Sequence, residues 1–173
     1  AVSWQVCPSG FYFRRSVARD VFGTDSPDLV SLKLESYSAM EETAEKLRSA
    51  GYYLASGYES LYYGFLSERT VPWIDGSSVV DGCIDDWISY TKNFIDKGYL
   101  KPVSVWSREN SESMKAKSDV FGYFGPGWLM DFSLIPGSVD DFSKPLEKGN
   151  GSWGDWGFCR GPADYSWGGS WIC

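Results

Sequence analysis

The sequence predicts an α/β fold, and three observations carry that reading. Met40, Ala44, Leu47 and Ala50 recur at helical spacing and stop at Gly51, after which Tyr52–Ala55 is a short apolar run suited to a buried strand. Residues 80–97 form a second, stronger helical pattern ending at Gly98. Asp119–Phe132, DVFGYFGPGWLMDF, reads as a strand, a Gly125-Pro126-Gly127 turn and the start of a helix. Strand, helix and strand in succession mark a sheet flanked by helices.

Taken in order, Ala1–Val6 is strand-like, Pro8-Ser9-Gly10 reads as a break, and a second short strand ends in Tyr12 and Phe13. Arg14–Phe22 reads as a short helix stopped by Gly23, and Thr24 or Ser26 can cap the next segment, with Pro27 at a first helical position. A break near Ser36 precedes the helix at 37–50, whose acids come first and bases later, as the helix dipole favours. Ser56–Phe65 is expected to be a loop carrying Tyr58, Glu59, Tyr62 and Tyr63. Val71–Gly76, VPWIDG, resembles an edge segment closed by an Asp-Gly turn. In the helix at 80–97, Cys83 or Ile84, Trp87, Ile88, Thr91, Phe94 and Ile95 share one face, and Asp81, Asp85 and Asp86 load the first turns. Ser107–Lys117 is polar and helix-compatible, Pro136–Ser152 is a loop too long for a simple connector, and Trp153–Phe158 and Tyr165–Ile172 supply two last strand-like segments.

Composition narrows the chemistry. Nine Trp, eleven Tyr and ten Phe among 173 residues are more rings than one core of this size readily buries, so some are displayed. Sixteen Lys and Arg against twenty-three Asp and Glu, a net charge of −7, leave no basic patch for phosphates, which argues against nucleic acid and anionic lipid surfaces. A neutral ligand rich in hydroxyls fits better. The chain has no His, so the commonest general base and zinc ligand are missing, and none of Cys7, Cys83, Cys159 and Cys173 forms a C-x-x-C pair. No metal or other cofactor is expected. Four cysteines permit three fully bridged connectivities, and free buried thiols are the plain alternative.

Trp128 falls just beyond the carboxyl end of a strand, where ligands collect in open α/β sheets, which makes it a candidate recognition surface; a core tryptophan closing the junction is the alternative. Tyr58, Glu59, Tyr62 and Tyr63 offer a carboxylate for hydroxyl groups beside rings for the apolar faces of a pyranose, or else a loop packed on itself. An enzyme would have to rest on carboxylates, and Glu59, Asp75, Asp131 and Asp155 are the candidates for a glycosidase pair. Each is more simply read as a turn, dipole or hydrogen-bonding residue, and no phosphate loop or nucleophile elbow is present, so binding is preferred over catalysis. Asn150-Gly151-Ser152 is a formal glycosylation triplet, discounted because such triplets are common.

Four short motifs in order carry a resemblance. They are Phe11-Tyr12-Phe13-Arg14-Arg15 with Phe22-Gly23-Thr24; AEKLRSAG at Ala44–Gly51; VFGYFGPGW at Val120–Trp128; and Gly161-Pro162 followed by Trp167-Gly168-Gly169. In these the chain resembles the family 1 extracellular solute-binding proteins, receptors of carbohydrate-importing ABC transporters of the maltose-binding type. The resemblance implies one lobe of a periplasmic-binding-protein-like type II fold, a mixed sheet flanked by helices over residues 1–173. The strand-like, apolar ends fit a piece of a longer two-lobe receptor, its first lobe elsewhere in the polypeptide.

The same resemblance implies a neutral saccharide bound between the lobes, a membrane permease as partner, and an extracellular, lipid-anchored or periplasmic location. It places Trp128 at the cleft aromatic, the Glu59–Tyr63 loop where related receptors set rings and an acid, and Trp167 as a third contact. It also implies that the first and last strands lie side by side, which makes a Cys7–Cys173 disulfide an expectation to test. The density of Trp and Cys, and the wide Gly125-Pro126-Gly127 turn, depart from the family pattern and bear on ligand size. The rival is a self-contained lectin-like carbohydrate-binding module, against which the two helices argue because such modules are usually all-β.

Overall fold

A computed structural model of the chain describes residues 1–72 and 81–173. Its main sheet has five strands, β2 (Ser9–Arg14), β3 (Tyr53–Ser56), β4 (Leu100–Lys101), β5 (Val120–Pro126) and β6 (Trp156–Cys159), in the order β4-β3-β5-β2-β6. β3 runs parallel to β4 and β5, and β2 is antiparallel to both β5 and β6. Four strands therefore point one way and β2 the other. A separate ribbon pairs β1 (Val2–Gln5) with β7 (Ser170–Ile172).

Five helices cover one face: α1 (Arg15–Phe22), α2 (Pro27–Leu32), α3 (Tyr37–Ser49), α4 (Tyr62–Ser67) and α5 (Gly82–Asp96). Phe11, Phe13 and Phe124 face them, and with Met40, Leu47, Leu54, Phe94 and Phe121 they make the larger core. Tyr12, Val120 and Tyr123 belong to the opposite face, with Met114, Leu129 and Leu134 from α6 (Arg108–Glu112) and its following turn and from a helical segment. That segment comprises α7 (Gly127–Leu129), a π turn (Met130–Leu134) and α8 (Ile135–Ser138). No helix among the described residues is long and apolar enough to cross a membrane.

Local chemistry explains the boundaries. Gly23 ends α1 at φ 71°, and Ser36 caps α3 by accepting the Ala39 amide. Asp81 caps α5 by accepting the Cys83 amide. β2 and β5 approach closely because Gly122 has no side chain: a β-carbon there would lie 2.3 Å from both the Phe11 ring and the Tyr12 carbonyl oxygen. The Arg14 guanidinium, almost fully buried, donates to Asp155 at 2.8 Å and to the Lys115 and Ala116 carbonyls at 3.1 Å, tying the start of α1 to the approaches of β5 and β6. Burial alone would raise the Asp155 pKa, but hydrogen bonds from Ser16 and Arg14 outweigh it and hold the carboxyl below its ordinary range.

Several expectations change. Ser9 and Gly10 belong to β2, because they pair with Pro126 and Gly125, and the break is confined to residues 6–8. The strand β5 consequently runs through Gly125 and Pro126, and the helical turn begins at Gly127. Tyr62 and Tyr63 lie on α4 and not on a loop. Ile88 is half exposed, so the inward face of α5 is carried by Cys83, Thr91 and Phe94 with Trp87 and Ile95 at its edge. The long segment after Pro136 begins helically and then has no regular element until β6; within it Asn150 is buried and holds the Asp141 amide and the Asp141 and Pro145 carbonyls. Asp75 and most of the Val71–Gly76 segment lie outside the described residues, as does Val80.

The first and last strands do lie side by side, but all four cysteines are free. The register explains it: Val2 pairs with Ile172, which puts Cys173 opposite the first residue, while Cys7 lies at the other end beside Trp167. Six residues of extended chain separate the two, ~20 Å, far beyond disulfide reach.

A thiol reagent used without reductant should find four reactive cysteines in denaturant, and in the native protein react fast only at exposed Cys173, since burial pushes the Cys159 thiol up to about 12; two thiols in denaturant would reveal a bridge. Asp155→Asn should cost about 2 kcal/mol by leaving Arg14 buried without its partner. Because the folded-state pKa of Asp155 is depressed, its contribution is present above the ordinary carboxylate range and lost as pH falls through the folded value. Denaturant titrations below about pH 4 should therefore show the variant and the wild type converging.

Candidate functional site

The parallel strands β4, β3 and β5 lie in adjacent places in the sheet and end at the same edge, so the loops that leave them meet. β6 points the same way and ends beside the start of β2. Each of these connections except the one from β3 delivers a tryptophan to that edge.

From β5, the Tyr12 hydroxyl donates to the Pro126 carbonyl at 3.0 Å and fixes the exit of the strand. Leu129 packs onto Gly125, where a β-carbon would meet it at 2.4 Å, and this turns the helical segment sharply away with Trp128 at the corner. From β6, the chain returns along the start of β2, with Ser9 donating to the Tyr165 carbonyl and Trp167 donating to the Cys7 carbonyl. Trp167 is thus buried beside Trp128, whose indole N–H donates to the Trp167 carbonyl at 3.0 Å. From β4, the segment 102–106 leads into the Ser107 cap of α6 and presents Trp106, 67% exposed.

The three indoles form one assembly. Trp106 and Trp128 are parallel to within 6°, their centroids 6.4 Å apart. Trp167 stands at 74° to both, 5.8 Å from Trp106 and 5.2 Å from Trp128. Tyr63 stacks on Trp167 at 4.6 Å and 20°, and exposed Phe132 sets its edge toward Trp128 at 6.5 Å. The plane spacing of Trp106 and Trp128 cannot exceed 6.4 Å, whereas a saccharide ring held between two faces needs two van der Waals contacts, about 7–8 Å. The gap between the two indoles is therefore too narrow to admit a saccharide ring.

Of the six residues singled out from sequence, Tyr63, Trp128 and Trp167 come together in this assembly. Tyr62 meets Tyr63 and Trp87 in edge contacts, with ring centroids 5.1 Å and 5.0 Å away. Tyr58 and Glu59 do not reach the rings: the Tyr58 hydroxyl donates to the Pro102 carbonyl at 2.6 Å, and the Glu59 carboxylate accepts from Ser104 and Val105. Burial raises the Tyr63 pKa above its ordinary value. Sequence reasoning passed over Trp106. The readable part of the signal was a tryptophan just before the Ser107 cap; that it also stands past the carboxyl end of a parallel strand, as Trp128 does, is shown by the two-residue β4, which leaves no pattern in the sequence.

Of the carboxylates singled out from sequence, Asp75 lies outside the described residues and the other three have other surroundings. Asp155 is engaged with Arg14 and Ser16, Glu59 with Ser104 and Val105, and Asp131 lies on the π turn. Among the described residues, no three His, Cys, Asp or Glu side chains cluster as a metal site.

No family model matches the chain, and neither does any curated protein. Solved structures do. The galacto-N-biose-/lacto-N-biose I-binding protein of the ABC transporter from Bifidobacterium longum, in complex with lacto-N-biose, aligns at a TM-score of 0.63 and 13% identity, over 95% of this chain and 42% of that one. A protein described as extracellular solute-binding protein family 1 aligns at 0.67 and 14%, over 97% and 42%. The sugar-binding protein MalE from the phytopathogen Xanthomonas citri aligns at 0.59 and 13%, over 94% and 42%. The likeness is one of fold: an α/β unit with a mixed sheet, spanning about two fifths of the length of the structures it matches.

Proposed function

We propose that the chain is one lobe of a two-lobe saccharide receptor serving an ABC importer, and that the platform of Trp106, Trp128 and Trp167 with Tyr63 is its half of the ligand site. The single observation that carries the reading is the convergence of these rings at the carboxyl edge of the sheet, three of them indoles from separate connections. Flat aromatic faces contact the C–H faces of a pyranose and leave its hydroxyls free for hydrogen bonds. An excess of acidic groups favours a neutral ligand over a phosphorylated one. Tyr62 meets the Tyr63 ring in an edge contact, and Tyr58 and Glu59 hold the neighbouring loop. The role is binding and not catalysis.

Solved structures of similar fold support the same ligand class, since their names speak of lacto-N-biose, of sugar and, in a further case, of chitin oligosaccharide. In this reading the chain is the second lobe and the first lies elsewhere in the polypeptide, and the β1–β7 ribbon leads toward it, with Val2, Trp4, Trp171 and Ile172 exposed on the ribbon and Val6 just after β1 as apolar surface. Ligand would close the lobes because it touches both only in the closed form, and the closed receptor would meet a membrane permease outside the cytoplasm. A self-contained all-β carbohydrate-binding module does not fit a sheet of mostly parallel strands flanked by helices.

Titration of tryptophan fluorescence with lacto-N-biose, chitin oligosaccharides and maltooligosaccharides is the test. One saccharide class should shift the emission, and Trp106→Ala or Trp128→Ala should each weaken that binding by about fivefold, the worth of ~1 kcal/mol of stacking, with the fold intact. Affinity of this chain alone should be weak; a submicromolar Kd would contradict a site divided between two lobes.

A further inference from the structure

We propose that Glu59 is a positioning residue: its carboxylate holds Trp106 in the aromatic platform and does not itself meet the ligand. The proposal rests on the reading of that platform as the ligand surface. The loop after β3 lies between the loops after β4 and β5, and residues 57–59 are fastened to the 101–105 segment at every step. The Gly57 amide donates to the Lys101 carbonyl at 3.1 Å, the Tyr58 amide to the Val103 carbonyl at 2.9 Å, and the Tyr58 hydroxyl to Pro102. Gly57 has φ 103°, and a β-carbon there would lie 2.2 Å from a Val105 methyl, so the two segments are closer than any other residue would permit.

Glu59 completes the fastening at the end nearest Trp106. One carboxylate oxygen accepts the Ser104 hydroxyl at 2.9 Å and the other accepts the Val105 amide at 3.0 Å. The Ser104 oxygen in turn accepts the Trp106 amide at 3.3 Å, so a chain of hydrogen bonds runs from the carboxylate to the backbone that carries the indole. From the far side Asn110, buried in α6, donates its side-chain amide to the Val105 carbonyl at 2.8 Å. The Trp106 ring itself is two-thirds exposed and meets the Trp128 and Trp167 rings on this edge. Its place beside Trp128 therefore depends on the backbone at 104–106, and among the described residues Glu59 is the charged group that binds that backbone. Hydrogen bonds to a carboxylate are stronger than neutral ones, which suits a short loop with no regular structure.

The test reads the indole arrangement directly and without ligand. Indoles held at fixed angles within about 6 Å couple their transitions and give a couplet in circular dichroism, and Trp106→Ala identifies the share of the couplet that belongs to Trp106. Glu59→Ala should lose that same share, while Glu59→Gln should keep most of it, since the amide oxygen still accepts the Val105 N–H and its NH2 can donate to Ser104. If Glu59→Ala does not fold, Ser104→Ala cuts the chain at its middle link and should reduce the Trp106 share by about half. A wild-type couplet in folded Glu59→Ala, or in Ser104→Ala, overturns the proposal. Because no saccharide is present, the couplet reports on Glu59 whether or not the chain binds one, and a failure of saccharide binding would count against the platform's function alone.

Discussion

The constraint on which this structure depends is the order of its sheet. Placing β4, β3 and β5 side by side and parallel forces three consecutive chain exits to one edge, at strand spacings of about 4.8 Å. Loops that close to one another cannot avoid contact. In this chain the contacts are specialised: the middle loop supplies polar groups that bind backbone, and the outer connections supply indoles. Trp167 arrives by a different route, from the strand β6 and the return along β2, and fills the corner between the other two.

That order is maintained by features remote from the rings. Gly122 lets β2 close against β5, and the buried Arg14–Asp155 pair joins the start of α1 to the approaches of both neighbouring strands. On one side of the sheet the Phe11, Phe13 and Phe124 rings pack against five helices; on the other the Tyr12 hydroxyl reaches the Pro126 carbonyl, one residue before the turn that aims Trp128. The strand order behind the platform is thus held by main-chain geometry, the buried Arg14–Asp155 pair and neutral hydrogen bonds, and in the loop that carries Trp106 the charged contact is that of the Glu59 carboxylate.

Much of this was legible in the sequence, and the reasons differ by residue. The helices at 37–49 and 82–96 announced themselves because apolar positions repeat at helical spacing and glycine follows each stop. Trp128 was legible because strand, glycine-proline and helix meet around it. Tyr63 and Trp167 were named, but their stacking was not, since it joins residues a hundred positions apart. Ser9 and Gly10 misled because proline and glycine signal turns locally, whereas here β5 and β6 flank them and the ladder decides. Trp106 was missed because β4 is only two residues long and leaves no strand pattern. Glu59 was read as a ligand-binding carboxylate among three tyrosines; in the structure it accepts from Ser104 and Val105, which sequence does not place beside it.

The most direct measurement of the central claim is a titration of the nine indole N–H resonances with neutral saccharides by NMR. The account predicts that one saccharide class moves the signals of Trp106, Trp128 and Trp167, on one edge of the sheet, and leaves those of Trp87 and Trp156 unchanged. Movement confined to Trp87, Trp156 or the ribbon tryptophans Trp4 and Trp171, or no movement with any saccharide at millimolar concentration, would contradict it.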